Sequence, residues 1–279
     1  MKILSRFSLV AAAVFLSASF ASSAEASHAW GGYHWARTAN PFTLILGDNV
    51  SSNWDSYLTT ASADWSLSSV LDTSIRAGKT TARNCRPTAG RVEVCNSKYG
   101  LNGWLGLASV WADANLHITQ GTAKMNDSYF SRAPYNTPAW KQMVMCQEIA
   151  HAFGLDHQDE DFYNTPLGTC MDYSADPALN QHPNLHDYEE LETIYGHLDT
   201  VSTLAGGVNT SPVRGKATLI HGFDCELDLE SESSWGRKLR TSRDGSVSVY
   251  ERDLGEGKKI VTSVIWDEEK AKENVRKAR

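Results

Sequence analysis

The string CQEIAHAFGLDH contains acid–base and metal-binding residues at helical spacing. Gln147 and His151 are four residues apart, so on a helix both side chains project from one face and reach a common ion. Glu148 lies beside them, in the position of a general base for a water molecule held by that ion. Gly154 permits a sharp turn after the helix, and this turn returns His157 to the same ion. The string therefore predicts a metal-dependent hydrolytic centre.

Gln147 departs from the strongest metal-binding form of this pattern, which has histidine at that position. An amide oxygen is neutral and a harder donor than imidazole, so it holds Zn²⁺ less well. Three outcomes follow: Gln147 completes a weak site, another residue supplies the missing ligand, or no metal is held. Four carboxylates near His157 offer a substitute ligand, a calcium site or a solvated acidic loop: Asp156, Asp159, Glu160 and Asp161.

A second string, CMDY at 170–173, follows at a distance typical of a Met-turn. With both strings, the chain resembles the metzincin clan of zinc proteases, and HAFGLDH is closest to the matrixins. The resemblance of motifs covers about 138–173. The order of the predicted elements extends it loosely over 55–198.

The resemblance implies that peptide bonds are hydrolysed by a zinc-activated water, with Glu148 as the general base. It implies one Zn²⁺ ion with His151 and His157 as ligands, and Gln147 occupies the position of the remaining ligand. It also places Met171 in a Met-turn beneath the metal.

Tyr173 is a second candidate ligand. It lies two residues after Met171, where the astacin and serralysin branches of the clan place a zinc-binding tyrosine and the matrixins do not. The alternative is a buried tyrosine beneath the site, and the sequence leaves both interpretations open.

Four other histidines are interpreted as non-catalytic. His117 lies on a predicted strand and is assigned a structural role. The other three surround the last predicted helix and are interpreted as surface or capping residues: His182, His186 and His197.

The first residues have the organisation of a secretory signal. Lys2 and Arg6 give a positive start, an apolar run covers 9–16, and AEA at 24–26 is a cleavage motif. The apolar run is too short to cross a bilayer comfortably. We therefore expect a signal peptide over 1–26 and a secreted protein, located outside the cell, in the periplasm or in the cell envelope.

The chain has a formal net charge of −7 and no basic stripe. Such a chain is not attracted to phosphate backbones or anionic membranes, which excludes nucleic acid as a leading partner. The expected partner is a protein or peptide substrate.

The chain contains five cysteines, and an oxidising compartment favours their pairing. Four of them allow three connectivities. We favour Cys85–Cys95 and Cys146–Cys170, because each bridge then serves one local unit and the second ties the metal-binding helix to the CMDY string. Cys225 is left as a free thiol or an intermolecular link.

Hydrophobic periodicity predicts the helices and strands that position these residues. Helices are expected over 55–68, from Thr137 to Gly154, and from a cap at Asp187 to Leu198. Strands are expected over 42–46, 71–75, 105–111, 117–125, 247–252 and 260–266.

The predicted fold class is α+β, a metzincin-like domain with a mixed twisted sheet, a zinc helix, a Met-turn and a C-terminal helix. This catalytic domain is expected over 27–205, and a small β-rich C-terminal extension over 206–279.

The function that follows is a secreted metal-dependent endopeptidase. The alternative is a non-catalytic, protease-like binding protein with a weakened or empty metal site, and a third option is a metal-binding stress or envelope protein. Glu148, His151, His157 and Met171 favour the enzyme, whereas Gln147 favours the binding protein.

Overall fold

The computed structural model describes residues 27–206 and 229–278. The predicted signal peptide and Cys225 lie outside these residues. In chain order, the described strands are β1 (His34–Trp35), β2 (Phe42–Asn49), β3 (Leu71–Ala77), β4 (Arg91–Ser97), β5 (Trp104–Ala112), β6 (His117–Asn126), β7 (Arg237–Thr241), β8 (Val247–Gly255) and β9 (Lys258–Trp266). The described helices are α1 (Asp55–Trp65), α2 (Asp127–Phe130), α3 (Pro138–His151), α4 (Leu185–Ile194) and α5 (Glu268–Lys277).

These strands form one mixed sheet in the order β3-β2-β4-β6-β5-β9-β8-β7, with β1 beside β6. Strands β3, β2, β4 and β6 are parallel, and β5 is antiparallel to β6. Parallel neighbours need a crossover connection, and α1 lies in the connection between β2 and β3. Every second side chain of β2 is buried in the core, at Phe42, Leu44 and Leu46. This architecture agrees with the predicted α+β class.

Helix α3 lies at the centre of the core. Thr137 caps its start, because the threonine side chain accepts a hydrogen bond from the Trp140 N–H at 3.3 Å. Every residue from Gln142 to His151 is buried, so this part of the helix is enclosed on all sides. The indole N–H of Trp65 on α1 donates to the Cys146 carbonyl at 3.2 Å. The polar side chains of α3 are therefore held away from bulk water.

Two predicted helices end earlier in the structure. Helix α1 ends at Trp65, because the following serine-rich run 66–69 competes for backbone hydrogen bonds. Helix α3 ends at His151 rather than at Gly154. The glycine lies instead in the turn that follows the helix.

The predicted cap of the last helix is wrong. Asn184 is the cap of α4, and its side chain accepts a hydrogen bond from the Asp187 N–H. The Asp187 carboxylate accepts in return from the Asn184 N–H, so Asp187 is the third helical residue of a capping box. The helix ends at Ile194, and Leu198 beyond it is exposed.

Strand β4 was not predicted, because charged residues are not expected in a buried strand. The strand lies between β2 and β6. Arg91 and Glu93 are both buried there and form an ion pair at 3.1 Å. Each charge is compensated by the other, which allows both residues to lie inside the sheet.

The two predicted C-terminal strands are present as β8 and β9, and they extend the main sheet. Strand β9 pairs antiparallel with β5 from Trp266, opposite Trp104, to Lys259, opposite Ala112. Strands β8 and β7 continue the sheet outwards. The boundary at residue 205 stays a prediction.

Both favoured disulfides are present, Cys85–Cys95 and Cys146–Cys170. The second ties α3 to the CMDY string, as the sequence predicted. Within residues 27–206 and 229–278, no helix combines the length and apolar character that a membrane span requires.

Gly154 directs the chain from α3 towards His157. Its φ is 97°, and a Cβ added there would lie 2.1 Å from the Tyr33 carbonyl oxygen. The Gly154 carbonyl accepts a hydrogen bond from the Trp30 N–H at 2.6 Å. The turn is therefore packed against the N-terminal segment, and only glycine fits it.

We expect Gly154→Ala to destabilise the chain more than the matched variant Gly168→Ala. Gly168 also has a positive φ, 75°, but an added Cβ there meets nothing within 4 Å. Gly168→Ala should cost about 1–2 kcal/mol in the free energy of unfolding, from backbone strain alone. Gly154→Ala adds the collision with the backbone and should cost at least about 3 kcal/mol. Equal losses in urea denaturation would contradict the packed-turn account.

Candidate metal centre

His151 and His157 meet at the end of α3. Their Nε2 atoms are 3.2 Å apart and their ring centroids are 4.5 Å apart. His151 is the last residue of the helix, and the turn at Gly154 brings His157 back towards it. The structure therefore brings together the two histidines that the sequence assigned to one ion.

The tautomer of His151 follows from its second ring nitrogen. Nδ1 lies 2.9 Å from the Leu155 carbonyl oxygen. A carbonyl only accepts, so Nδ1 carries the proton and Nε2 of the neutral ring presents a lone pair. Burial and the neighbouring His157 lower the pKa of His151 to about 3, so the ring is neutral at physiological pH. In this state Nε2 can bind a metal.

His157 is oriented by two carboxylates. Its Nδ1 lies 3.4 Å from both Asp156 Oδ1 and Glu160 Oε1, and Arg240 forms ion pairs with the same two oxygens. Burial acts to lower the pKa of His157, but the two carboxylates raise it above its usual value. Asp156 and Glu160 thus direct Nδ1 towards themselves and Nε2 towards His151. Arg240 is separated from Glu160 by 80 residues, and no sequence pattern predicted it.

The pair of histidines fits a transition metal. Two lone pairs that face each other at 3.2 Å repel unless a proton or a cation lies between them. A tetrahedral zinc ion with bonds of about 2.0–2.1 Å holds two nitrogen ligands about 3.3–3.4 Å apart. His151 Nδ1 makes the contact with a carbonyl that metal-bound histidines usually make, whereas the carboxylates act on His157 Nδ1 by charge at 3.4 Å. A shared proton competes with the metal below the raised pKa of His157.

Gln147 and Glu148 bring further polar atoms into this region. In the described part of the chain, the amide oxygen and nitrogen of Gln147 are buried without a hydrogen-bond partner. The two carboxyl oxygens of Glu148 are buried in the same way. A buried polar group left in this state costs about 1–3 kcal/mol. Other buried atoms of the described residues share this state, and a ligand, an ion or a water molecule can supply the missing partner. Both side chains are therefore suited to contact a bound group.

The Glu148 carboxyl lies against β5. A Cβ added at Gly106 would lie 2.2 Å from Glu148 Oε1, so glycine is needed there to accommodate the carboxyl. Burial raises the pKa of Glu148 well above its usual value. The carboxyl is consequently a strong proton acceptor once ionised, as a general base must be.

Tyr173 makes a different contact from the one a metal ligand would make. Its hydroxyl donates to the Trp266 carbonyl at 3.0 Å, and its ring packs on Trp140 and Phe162. Burial raises its pKa well above the usual value, so the phenolate is strongly disfavoured. This position favours the buried tyrosine over the zinc ligand.

Met171 is buried beside the second histidine. Its carbonyl accepts from the Gln158 N–H at 2.7 Å, one residue after His157. Its N–H donates to Thr169 Oγ1 at 3.0 Å. The CMDY string therefore lies next to the metal-binding loop, and its role as a Met-turn stays a prediction.

The C-terminal strands cover this centre. Strand β9 pairs with β5, Trp266 at the end of β9 binds Tyr173, and Arg240 on β7 binds the carboxylates beside His157. The four side chains of the candidate centre are at most 6% exposed: Gln147, Glu148, His151 and His157. A peptide cannot reach them in this conformation.

The comparisons with known proteins add little to this geometry. No family model and no curated protein matches the sequence. Among solved structures, the chain is similar to high choriolytic enzyme 1, a hatching enzyme zinc-protease from Oryzias latipes (medaka fish). The similarity covers 58% of this chain and 94% of that one, at 12% identity and a TM-score of 0.32. This likeness is too low to carry an argument, and the matrixin resemblance stays a prediction.

The buried Glu148 carboxyl should make metal-free protein less stable as the pH rises. Above the ordinary carboxyl pKa of 4.5, the unfolded chain ionises while the folded chain keeps its proton. The folded state then binds more protons, so the free energy of unfolding falls until the pH reaches the raised pKa. Glu148→Gln removes this titration. We expect the variant to gain stability over the wild type from pH 4.5 to pH 8, measured by urea denaturation in chelator. A constant difference between the two proteins would contradict the assignment.

Proposed function

We propose that the chain is a metal-dependent peptidase whose centre is covered by its own C-terminal strands. The observation that carries the proposal is the pair of facing Nε2 atoms of His151 and His157, 3.2 Å apart. The unpartnered carboxyl of Glu148, on the same helix, supports a hydrolytic role. A transition metal and a carboxylate base together supply the activated water that peptide hydrolysis needs.

Each residue of the centre has a distinct role in this proposal. A bound zinc ion would polarise a peptide carbonyl and lower the pKa of a water molecule. Glu148 takes a proton from the attacking water and gives it to the leaving amine. His151 and His157 hold the ion, and Gln147 offers its amide oxygen as a weak third ligand. Asp156 and Glu160 keep the His157 ring in the binding orientation.

Peptide hydrolysis requires the C-terminal strands to move away from the centre. Glu148 and His151 have no exposed surface, so a substrate reaches them only after the C-terminal strands separate from the centre. Strand β9 occupies the edge of β5, where an extended peptide would otherwise pair through backbone hydrogen bonds. We infer that the described conformation is a latent state.

A non-catalytic, protease-like binding protein is the second candidate. Gln147 in place of a histidine weakens metal binding, and the complete burial of Glu148 is compatible with a centre that never turns over. The two disulfides support an oxidising compartment for either candidate, in agreement with secretion. The partner we propose is a protein or peptide, as substrate in one case and as bound ligand in the other.

The test of hydrolysis compares wild type with Glu148→Gln in the full chain. Both proteins are incubated with saturating zinc and a broad peptide library, and the cleavage products are identified by mass spectrometry. Glu148→Gln should keep its zinc and lose at least about 100-fold in rate, since it lacks the base but no histidine ligand. Equal rates would refute the role of Glu148, and cleavage by neither protein would support the binding protein.

Gln147→His provides the matched comparison for the metal. A histidine at this position should tighten zinc binding and preserve or raise the rate. Gln142→His on the same helix, also buried, should do neither. Equal zinc affinities in the two variants would show that position 147 does not face the ion.

If the C-terminal strands block the centre, weakening their contact with it should raise the rate of peptide cleavage. Arg240→Gln removes the ion pairs between β7 and the loop of His157, and we expect a severalfold higher rate of peptide cleavage in the presence of zinc. Arg237→Gln is the control, because this arginine lies on the same strand and its side chain is 74% exposed. Zinc content is measured in both variants. An inactive Arg240→Gln protein with its full zinc content would contradict the latent state.

A further inference from the structure

A second group of histidines lies outside the candidate centre, and we call it the second cluster. It consists of His34, His117, His197 and Asp199. Strand β1 pairs in parallel with β6 so that His34 lies opposite His117. The chain after α4 returns to the same place, because the Asp199 N–H donates to the Arg37 carbonyl at 2.9 Å. Three distant segments of the sequence therefore meet here.

Three ligand atoms of the second cluster converge on one point. His34 Nε2 lies 3.2 Å from His197 Nε2 and 3.5 Å from Asp199 Oδ1, and His197 Nε2 lies 3.8 Å from the same oxygen. His117 approaches this oxygen as well, with Nε2 at 3.4 Å. Contacts from 3.4 to 3.8 Å are longer than good hydrogen bonds. Ligands of a tetrahedral metal with bonds of about 2.0–2.2 Å lie about 3.3–3.6 Å apart, close to these separations.

The surrounding contacts leave these atoms free to bind a cation. His34 Nδ1 donates to the Gly32 carbonyl at 2.9 Å, so Nε2 of the neutral ring presents its lone pair. Asp199 Oδ2 accepts from the Arg37 backbone N–H at 3.1 Å and from its guanidinium at 3.0 Å. Only Oδ1 of this carboxylate faces the imidazoles. Outer contacts of this kind orient the ligands of metal sites.

The donor set also indicates the type of metal. Imidazole nitrogens with a single carboxylate suit zinc and its neighbours in the first transition series. Calcium and magnesium prefer oxygen ligands throughout. The His34 and Asp199 side chains are 10% exposed and the His197 side chain is 53% exposed, so an ion has access from solvent.

We propose that His34, His197 and Asp199 bind one zinc-like transition-metal ion. The ion would join the N-terminal strand β1 to the segment that follows α4. Such a ligand binds only the folded chain and stabilises it by mass action. The site shares no ligand with His151 and His157, so it does not depend on the proposed peptidase function.

The test counts metal ions in the full chain. We expect wild type to bind about two zinc ions and His197→Ala about one. His182→Ala is the matched control, since its side chain is 57% exposed and should leave the count unchanged. Affinity at the second cluster should fall at least about 10-fold in His197→Ala, the lower end of what loss of even an outer contact produces.

A double variant separates this site from the candidate centre. His151→Ala with His157→Ala should still bind one zinc ion and melt at a higher temperature with zinc than with chelator. Adding His197→Ala should abolish both effects. If the double variant does not fold, the count in His197→Ala alone decides. Equal zinc counts in His197→Ala and His182→Ala would overturn the proposal.

Discussion

Two buried imidazole nitrogens that face each other impose the main constraint on this molecule. His151 and His157 have their Nε2 atoms 3.2 Å apart, and the Nδ1 contacts of both rings direct the lone pairs inwards. In a low-dielectric core, this arrangement is favourable only with a positive charge between the rings. The buried part of helix α3, the glycine turn and the two carboxylates of the loop all act to hold that geometry.

The facing imidazoles also depend on the C-terminal strands, which contact the centre. Arg240 compensates the negative charge of Asp156 and Glu160, which orient His157. Strand β9 completes the hydrogen bonding of β5, beside which Glu148 is buried. The segment that stabilises the centre is therefore also the segment that excludes a peptide. In the proposed latent state, one set of contacts therefore supplies both the stability of the centre and the exclusion of the peptide.

Sequence spacing predicted those parts of the centre that lie close together in the chain. The start of α3, the return of His157 after Gly154 and both disulfides follow from local patterns. Strand β4 was missed because Arg91 and Glu93 neutralise each other inside the sheet. Arg240 and the second cluster were missed because their partners lie far away in sequence and meet only through the sheet and the segment after α4. Long-range pairing of charges leaves no periodic signal.

Crystals of the wild-type chain grown with zinc would test the central claim most directly. Anomalous difference maps recorded at the zinc absorption edge locate the ion without reference to activity. We expect a peak about 2.1 Å from Nε2 of both His151 and His157. No peak between these rings, with the two nitrogens still in direct contact, would show that a shared proton holds the pair and would contradict the metal centre.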